Sequence, residues 1–326
     1  MQTQAQASVP AIKVLSPAKR ESIIKNFKRK KMLYFMCIPG VLFFLLFSYL
    51  PIYGVVVAFK NYNQYSGLEG ILSNDNWVGL RWFEVFIKQR DFWTITRNTL
   101  LISLYSLLFG FPCSIILAIL FNEVRNAPFK RVAQTLSYLP HFLSWTIMAG
   151  FVISFLSPSN GSLNSILLSL GIIDQSVQWV VEPGAFRSIL VISGIWKGVG
   201  WGTIIYLAAM SGIDLTLYEA AVVDGANKFK QILHITLPGI LPVISISLIL
   251  NIGGMMNANF EQIFMLLTPN TYSVGDVYET FIYRVGLQRG QYSLTAAVGL
   301  FRNIINSLLI IGANIFANRT GGTGVW

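Results

Sequence analysis

The chain has 326 residues, 54% of them hydrophobic and 12% charged, with a mean hydropathy of +0.58. A soluble domain carries about 25% charged residues, so this composition excludes an ordinary water-soluble globule. The apolar excess falls in long blocks, which reads as an all-α, polytopic membrane protein. The net charge of +10 does not point to a nucleic-acid partner. Lys13, Lys19, Arg20, Lys25, Lys28, Arg29, Lys30 and Lys31 crowd the N-terminal arm against one acid, Glu21. A basic cluster directly before an apolar span is the positive-inside pattern and is drawn to anionic membrane lipid.

Residues 1–31 form that arm. Ser16-Pro17 pairs a helix N-cap with a first-turn proline, and Ile23, Ile24 and Phe27 share a face opposite the lysines, which predicts a basic amphipathic helix on the cytoplasmic leaflet. A cleaved signal peptide is excluded by the long charged region, the long apolar run after it and the lack of a small-x-small cleavage site. Six spans follow over 32–317. The first, Met32 to Phe59, is roughly 40 Å of helix at 1.5 Å per residue, and Pro39 and Pro51 are expected to kink it or mark its ends. Lys60 to Arg97 is external, with Trp77, Trp82, Phe83 and Trp93 at headgroup level. The second span, Asn98 to Phe121, leads to a cytoplasmic loop carrying Glu123, Arg125, Lys130 and Arg131.

The third span, Leu136 to Leu156, returns outward to an external segment, Ser157 to Arg187. The fourth, Ser188 to Gly212, comes back to a polar hairpin over 213–238. The fifth runs from Pro238 to Phe264, Leu266 to Tyr292 is external, and the sixth covers Ser293 to Ala317. A cytoplasmic tail, 318–326, ends the chain, so both termini lie in the cytoplasm. The sequence shows neither an internal repeat nor a second soluble domain. Cys37 and Cys113 lie inside apolar spans without metal-ligand spacing and read as small buried hydrophobes.

The hairpin carries the sharpest local signals. In EAAVVDGANKFKQILHITLP, Glu219 to Pro238, Thr216 is placed to cap a helix with Glu219 three residues on, a capping box. Gly225 sits where a helix end needs positive φ. Asn227 can cap a second helix bearing Phe229, Ile232 and Leu233, and Pro238 opens the next apolar segment.

Charges inside the spans are the other informative feature, because each costs about 2.5–3.5 kcal/mol at mid-membrane and should face a partner or a cavity. Lys197 lies between Trp196 and Trp201 in the fourth span. Arg302 is followed by Asn303 and Asn306 in the sixth, and Glu261 follows Asn251, Asn257 and Asn259 in the fifth. Glu261 pairing with Arg302 or Lys197 would make them structural glue. Alternatively these residues line a hydrated path, with tryptophan faces for sugar rings and asparagines for hydroxyls. If both cations faced that path, it would favour an anionic saccharide.

The order Glu-Ala-Ala, Gly225, Ile235-x-Leu237-Pro238 resembles the EAA loop of ABC importer permeases. The segment from Asn259 to Asn306, the closing GGTGVW and FKNYN after the first span are similar to carbohydrate permeases of the maltose type. Within these they resemble the oligosaccharide and polysaccharide branch that includes the alginate importer. The larger permease of the maltose importer has additional spans and an external insertion for which this chain has no room.

The resemblance implies a type I importer permease with six transmembrane helices in a bacterial cytoplasmic (inner) membrane. Its expected partners are a second related permease, two ATPase subunits and an extracytoplasmic solute-binding protein that delivers a saccharide. ATP and Mg belong to the ATPases, with no cofactor in this chain, and transport is by alternating access. Glu219, Ala220, Ala221, Asp224, Gly225 and Ala226, with Ile235, Leu237 and Pro238, would form the surface that couples to the ATPases.

An enzyme finds no support. No G-x-x-x-x-G-K-[ST] phosphate loop occurs, and His141 and His234 stand alone, with no H-E-x-x-H or G-x-S-x-G. A secondary transporter would show inverted repeats with broken helices at matching positions, and the sequence displays neither.

Overall fold

The computed structural model describes residues 29–319. The amphipathic helix expected around Ser16 to Phe27 and the closing GGTGVW lie outside them. The described residues are helical apart from loops and one isolated bridge between Lys60 and Trp77.

The chain divides at Val55/Val56 into two units. The first unit is described by a single long helix, α1, Lys31–Phe59, whose C-terminal end crosses into the second. Its residues up to Leu50 are exposed all round, as expected of a helix whose solvent is lipid tail. Neither proline ends it. Pro39 sits inside the α-helical part, and Pro51 falls where a π-helical turn, Leu45–Tyr49, gives way to 3-10 winding over Leu50–Phe59.

The second unit contains the remaining long helices: α2, Arg81–Lys88; α3, Asp91–Glu123; α4, Ala127–Phe142; α5, Trp145–Phe155; α6, Ser162–Ser169; α7, Pro183–Ser211; α8, Leu215–Val223; α9, Lys228–Gly253; α10, Phe260–Leu266; and α11, Tyr292–Arg319. Five helices among the described residues, α1, α3, α7, α9 and α11, are long and apolar enough to cross a membrane. The count reaches six only if α4 and α5 are taken as one span.

Two spans depart from the sequence expectation. The third is not one helix from Leu136 to Leu156: α4 and α5 meet at 103°. Pro140 lacks the N–H that a continuing helix would use. Leu143 and Ser144 are extended, and the Ser144 hydroxyl accepts from the Ile147 N–H at 3.4 Å to start α5. The fifth span does not run unbroken to Phe264. It stops at Gly253, passes through a non-helical stretch over 254–259, and restarts as α10, capped by Asn259, whose side chain accepts from the Gln262 N–H at 3.3 Å.

Buried apolar residues gather in three clusters that hold these pieces. Ile102, Ala149, Phe186, Leu190, Ile263 and Leu266 form one. Phe86, Phe92, Met256, Tyr278, Phe281 and Val298 form the second. Ala118, Tyr206, Met210 and Ile240 form the third, toward the 213–238 hairpin.

At the end away from the hairpin, a polar girdle fastens the segment between α10 and α11. Arg284 pairs with Asp276 through two contacts of 3.0 and 2.5 Å. The buried Asn98 amide donates to the Asp276 carbonyl at 3.1 Å and accepts from Arg187 at 2.8 Å.

Close approach in the middle depends on glycine. A Cβ at Gly200 of α7 would lie 2.0 Å from the Ser137 carbonyl oxygen of α4, whereas one at Gly198 would meet nothing within 4 Å. Gly200→Ala is therefore expected to separate α4 from α7 and destabilise the fold by about 1–3 kcal/mol, the usual cost of overpacking. Gly198→Ala should be neutral or slightly stabilising, because alanine is the better helix former. Thermal unfolding of the two purified variants side by side checks this, and equal melting temperatures would show that the contact is not tight.

Candidate functional site: a hairpin at one end and a polar cavity between the helices

The hairpin is built from α8, a turn, and the first turns of α9. Its first cap is Asp214 rather than Thr216: the Asp214 carboxylate accepts from the Thr216 N–H at 2.9 Å, and that bond holds its carboxyl below the usual carboxylate range. The expected capping box is absent because α8 begins at Leu215, which puts Glu219 beyond the first turn.

Glu219 is exposed and makes neither a hydrogen bond nor an ion pair among the described residues. Gly225 has φ of +75°, the left-handed conformation expected at the helix end. Asn227 caps the next helix by accepting from the Lys230 N–H at 2.9 Å.

Three contacts hold the hairpin. Tyr218 and Thr236 hydroxyls meet at 2.9 Å, Gln231 donates to the Ala226 carbonyl at 3.0 Å, and Lys228 lies 3.3 Å from Glu123 at the end of α3. Ala220, Asp224 and Pro238 are exposed, while Ala221, Ala226, Ile235 and Leu237 are half-buried. Around them Leu215, Val222, Val223 and Phe229 are 72%, 63%, 87% and 71% exposed. Such a concentration of exposed apolar side chains marks an interaction surface.

A cavity of about 490 Å³ lies between α3, α7, α9 and the break after α9. Its wall includes Ser103, Ser106, Tyr206, Asn251, Asn257 and Asn259, and no lining residue carries a charge. Asn257 is exposed, and its side-chain amide makes no hydrogen bond among the described residues. Asn251 donates to the Ser247 carbonyl at 2.8 Å and Asn259 caps α10, so those two side chains are partly committed.

The charged and aromatic residues singled out in the spans lie elsewhere. Lys197 donates to the carbonyls of Pro140, His141 and Leu143 at 3.4, 2.7 and 2.6 Å, and its ammonium stands 5.5 Å from the Trp145 ring. It thereby satisfies the carbonyls left over where α4 ends. Trp201 stacks on His141 with centroids 4.6 Å apart, and Trp196 lines a separate apolar groove of about 970 Å³ with Phe151, Phe155 and Trp179.

Arg302 pairs with Glu279 at 2.8 Å, not with Glu261, and donates to Asn303 at 3.1 Å. Glu261 is exposed in the first turn of α10. Asn306 accepts from the Met256 N–H at 3.2 Å. Sequence reasoning missed Glu279 because the segment containing it reads as external.

The family described as the binding-protein-dependent transport system inner membrane component matches residues 110–322. The chain is 41% identical to Protein LplB of Bacillus subtilis (strain 168) over 96% of each chain. It is 37% identical to that organism's polygalacturonan/rhamnogalacturonan transport system permease protein YteP over 99% of each. Its fold matches a solved chain of a bacterial alginate ABC transporter in complex with alginate pentasaccharide-bound periplasmic protein, with a TM-score of 0.83 and 40% identity over 92% of this chain and 99% of that one. The chain belongs to the family of binding-protein-dependent transport system inner membrane components, and its fold is that of a sugar ABC importer permease.

Lys197→Met removes the three donations while keeping an unbranched side chain only one atom shorter. The freed carbonyls should cost about 1–3 kcal/mol, read as a lower melting temperature of the purified protein. Unaltered melting would show that the break between α4 and α5 holds without Lys197.

Proposed function

We propose that this chain is one of two related permease subunits of an ATP-driven importer in a bacterial cytoplasmic membrane, with both termini and the 213–238 hairpin on the cytoplasmic side. The observation that carries the reading is the hairpin: a rigidly held element with an unpaired Glu219 and six exposed large apolar side chains, Leu215, Leu217, Val222, Val223, Phe229 and Leu233, on a chain otherwise built to sit in lipid. Such a surface suits the cleft of an ATPase subunit. ATP and Mg then belong to two ATPase partners, and their closure moves the hairpin and, through α7 and α9, the walls of the polar cavity.

The cargo is an oligosaccharide or polysaccharide handed over by a solute-binding protein. Relatives named for polygalacturonan/rhamnogalacturonan and for alginate make an acidic saccharide the first candidate. The hydroxyls and amides of the cavity suit sugar hydroxyl groups, and with its uncharged wall we assign recognition of carboxylates to other parts of the complex.

Gly225→Val tests the coupling role. Positive φ is costly for a β-branched residue, while the position has no neighbour within 4 Å to clash with. The variant should insert and fold yet lose most substrate-stimulated ATP hydrolysis in the purified complex. Full stimulated hydrolysis would remove the hairpin from the coupling path. Proteoliposomes holding this chain, the second permease, the ATPases and the binding protein should take up a uronate oligosaccharide only with ATP inside, and uptake by this chain alone would overturn the reading.

A further inference from the structure

The non-helical stretch over 254–259 follows α9, a helix long and apolar enough to cross a membrane, and backbone groups out of reach of water must be satisfied by protein or face a wet cavity. Its residues alternate. Met256 and Ala258 are buried, Met256 in the cluster with Phe86 and Tyr278 and Ala258 in the cluster with Phe186 and Ile263. Asn257 and Asn259 are exposed and line the polar cavity.

Two side chains of α11 reach the inward side of this stretch or its neighbour. Asn306 accepts from the Met256 N–H at 3.2 Å, and Arg302 holds Glu279 at 2.8 Å directly after Val277 and Tyr278, which pack in the clusters that bury Ala258 and Met256. A Cβ at Gly253 would lie 2.7 Å from Ile310, so the bare glycine is what lets α11 come this close.

The ion pair is poorly suited to a purely stabilising role. The Glu279 and Arg302 side chains are only 14% and 19% exposed, and Glu279 Oε2 and Arg302 Nε are buried without a hydrogen-bond partner among the described residues. A half-satisfied buried pair is commonly no more stable than well-packed apolar replacements. Its place, next to the two residues that pack with Met256 and Ala258 on either side of Asn257, offers another reason for it.

We propose that Glu279, Arg302 and Asn306 are positioning residues that brace the stretch over 254–259 from behind, so that the free amide of Asn257 is presented to the hydroxyls of the passing saccharide. This rests on the permease reading for what passes through the cavity. The brace acts through the backbone and not on the substrate, so its members need not face the path.

The test uses the assembled complex with Cys37→Ser and Cys113→Ser as parent, with and without Asn257→Cys as a reporter for a small water-soluble thiol reagent. Single changes at Glu279 or Arg302 leave a lone buried charge and can unfold the protein, so the informative variant is Glu279→Leu with Arg302→Met, which removes both charges together. It is expected to assemble, to lower saccharide uptake by about tenfold or more, as misplacement of a positioned group does, and to change the labelling rate of the Asn257→Cys reporter by a similar factor. Assembly with parental uptake and parental labelling would overturn the proposal and leave the pair as replaceable packing. An assembly defect that Asn306→Ala does not share in labelling or uptake would also overturn it. If the parent complex itself moves no saccharide, the permease reading fails, while the labelling comparison still decides whether the brace sets the position of Asn257.

Discussion

A peptide group inside a bilayer has no water to bond, so each departure from helix at membrane depth must be answered by a side chain or a cavity. Among the described residues, the bend between α4 and α5 and the stop after α9 are two such departures, and Lys197 sits at the first. Where α4 ends, Lys197 donates to three carbonyls of the turn into α5. Where α9 stops, Asn306 takes up the Met256 amide, and Arg302 holds Glu279 next to Tyr278, which packs with Met256. An ionisable residue in the membrane is expensive enough to need a specific use, and here the use is to permit bends that an unbroken helix could not make. The bends give the cavity its wall, because the second stretch turns Asn257 and Asn259 toward it.

That division of labour separates structure from cargo. Lys197, Arg302 and Glu261, which on composition alone could have lined a path for anions, are absent from the wall of the polar cavity. What remains is a wall in which hydroxyls and amides alternate with apolar side chains such as Ile102, Phe111 and Ile195 and with Gly194, Gly198 and Gly254.

Much of the fold was legible because its signals are local. The first, second, fourth and sixth spans are continuous apolar runs, and each emerges as a helix within a few residues of its expected bounds or somewhat longer. Gly225 and Asn227 behave as turn and cap chemistry requires, since positive φ and an Asx cap depend on neighbours only a few residues away. The hairpin cap shifted from Thr216 to Asp214 because two good capping residues stand two positions apart and only the chain path selects between them.

The breaks were not legible because hydropathy averages over them. Pro140 with Ser144, and Gly253-Gly254 with Asn257, were the available signals, each diluted within an apolar window. Glu279 was hidden for a different reason: a segment that reads as external folds back against α11, and no periodicity announces which charge meets Arg302.

The functional conclusion turns on which side of the membrane the hairpin faces and what covers it. Val223, 87% exposed at the tip of α8, is the most direct probe. In a Cys37→Ser, Cys113→Ser background, Val223→Cys should resist a membrane-impermeant maleimide in intact cells, react in inside-out vesicles, and be protected there when the ATPase subunits are present. Labelling from outside intact cells, or labelling in vesicles that the ATPases leave unchanged, would contradict a cytoplasmic coupling hairpin.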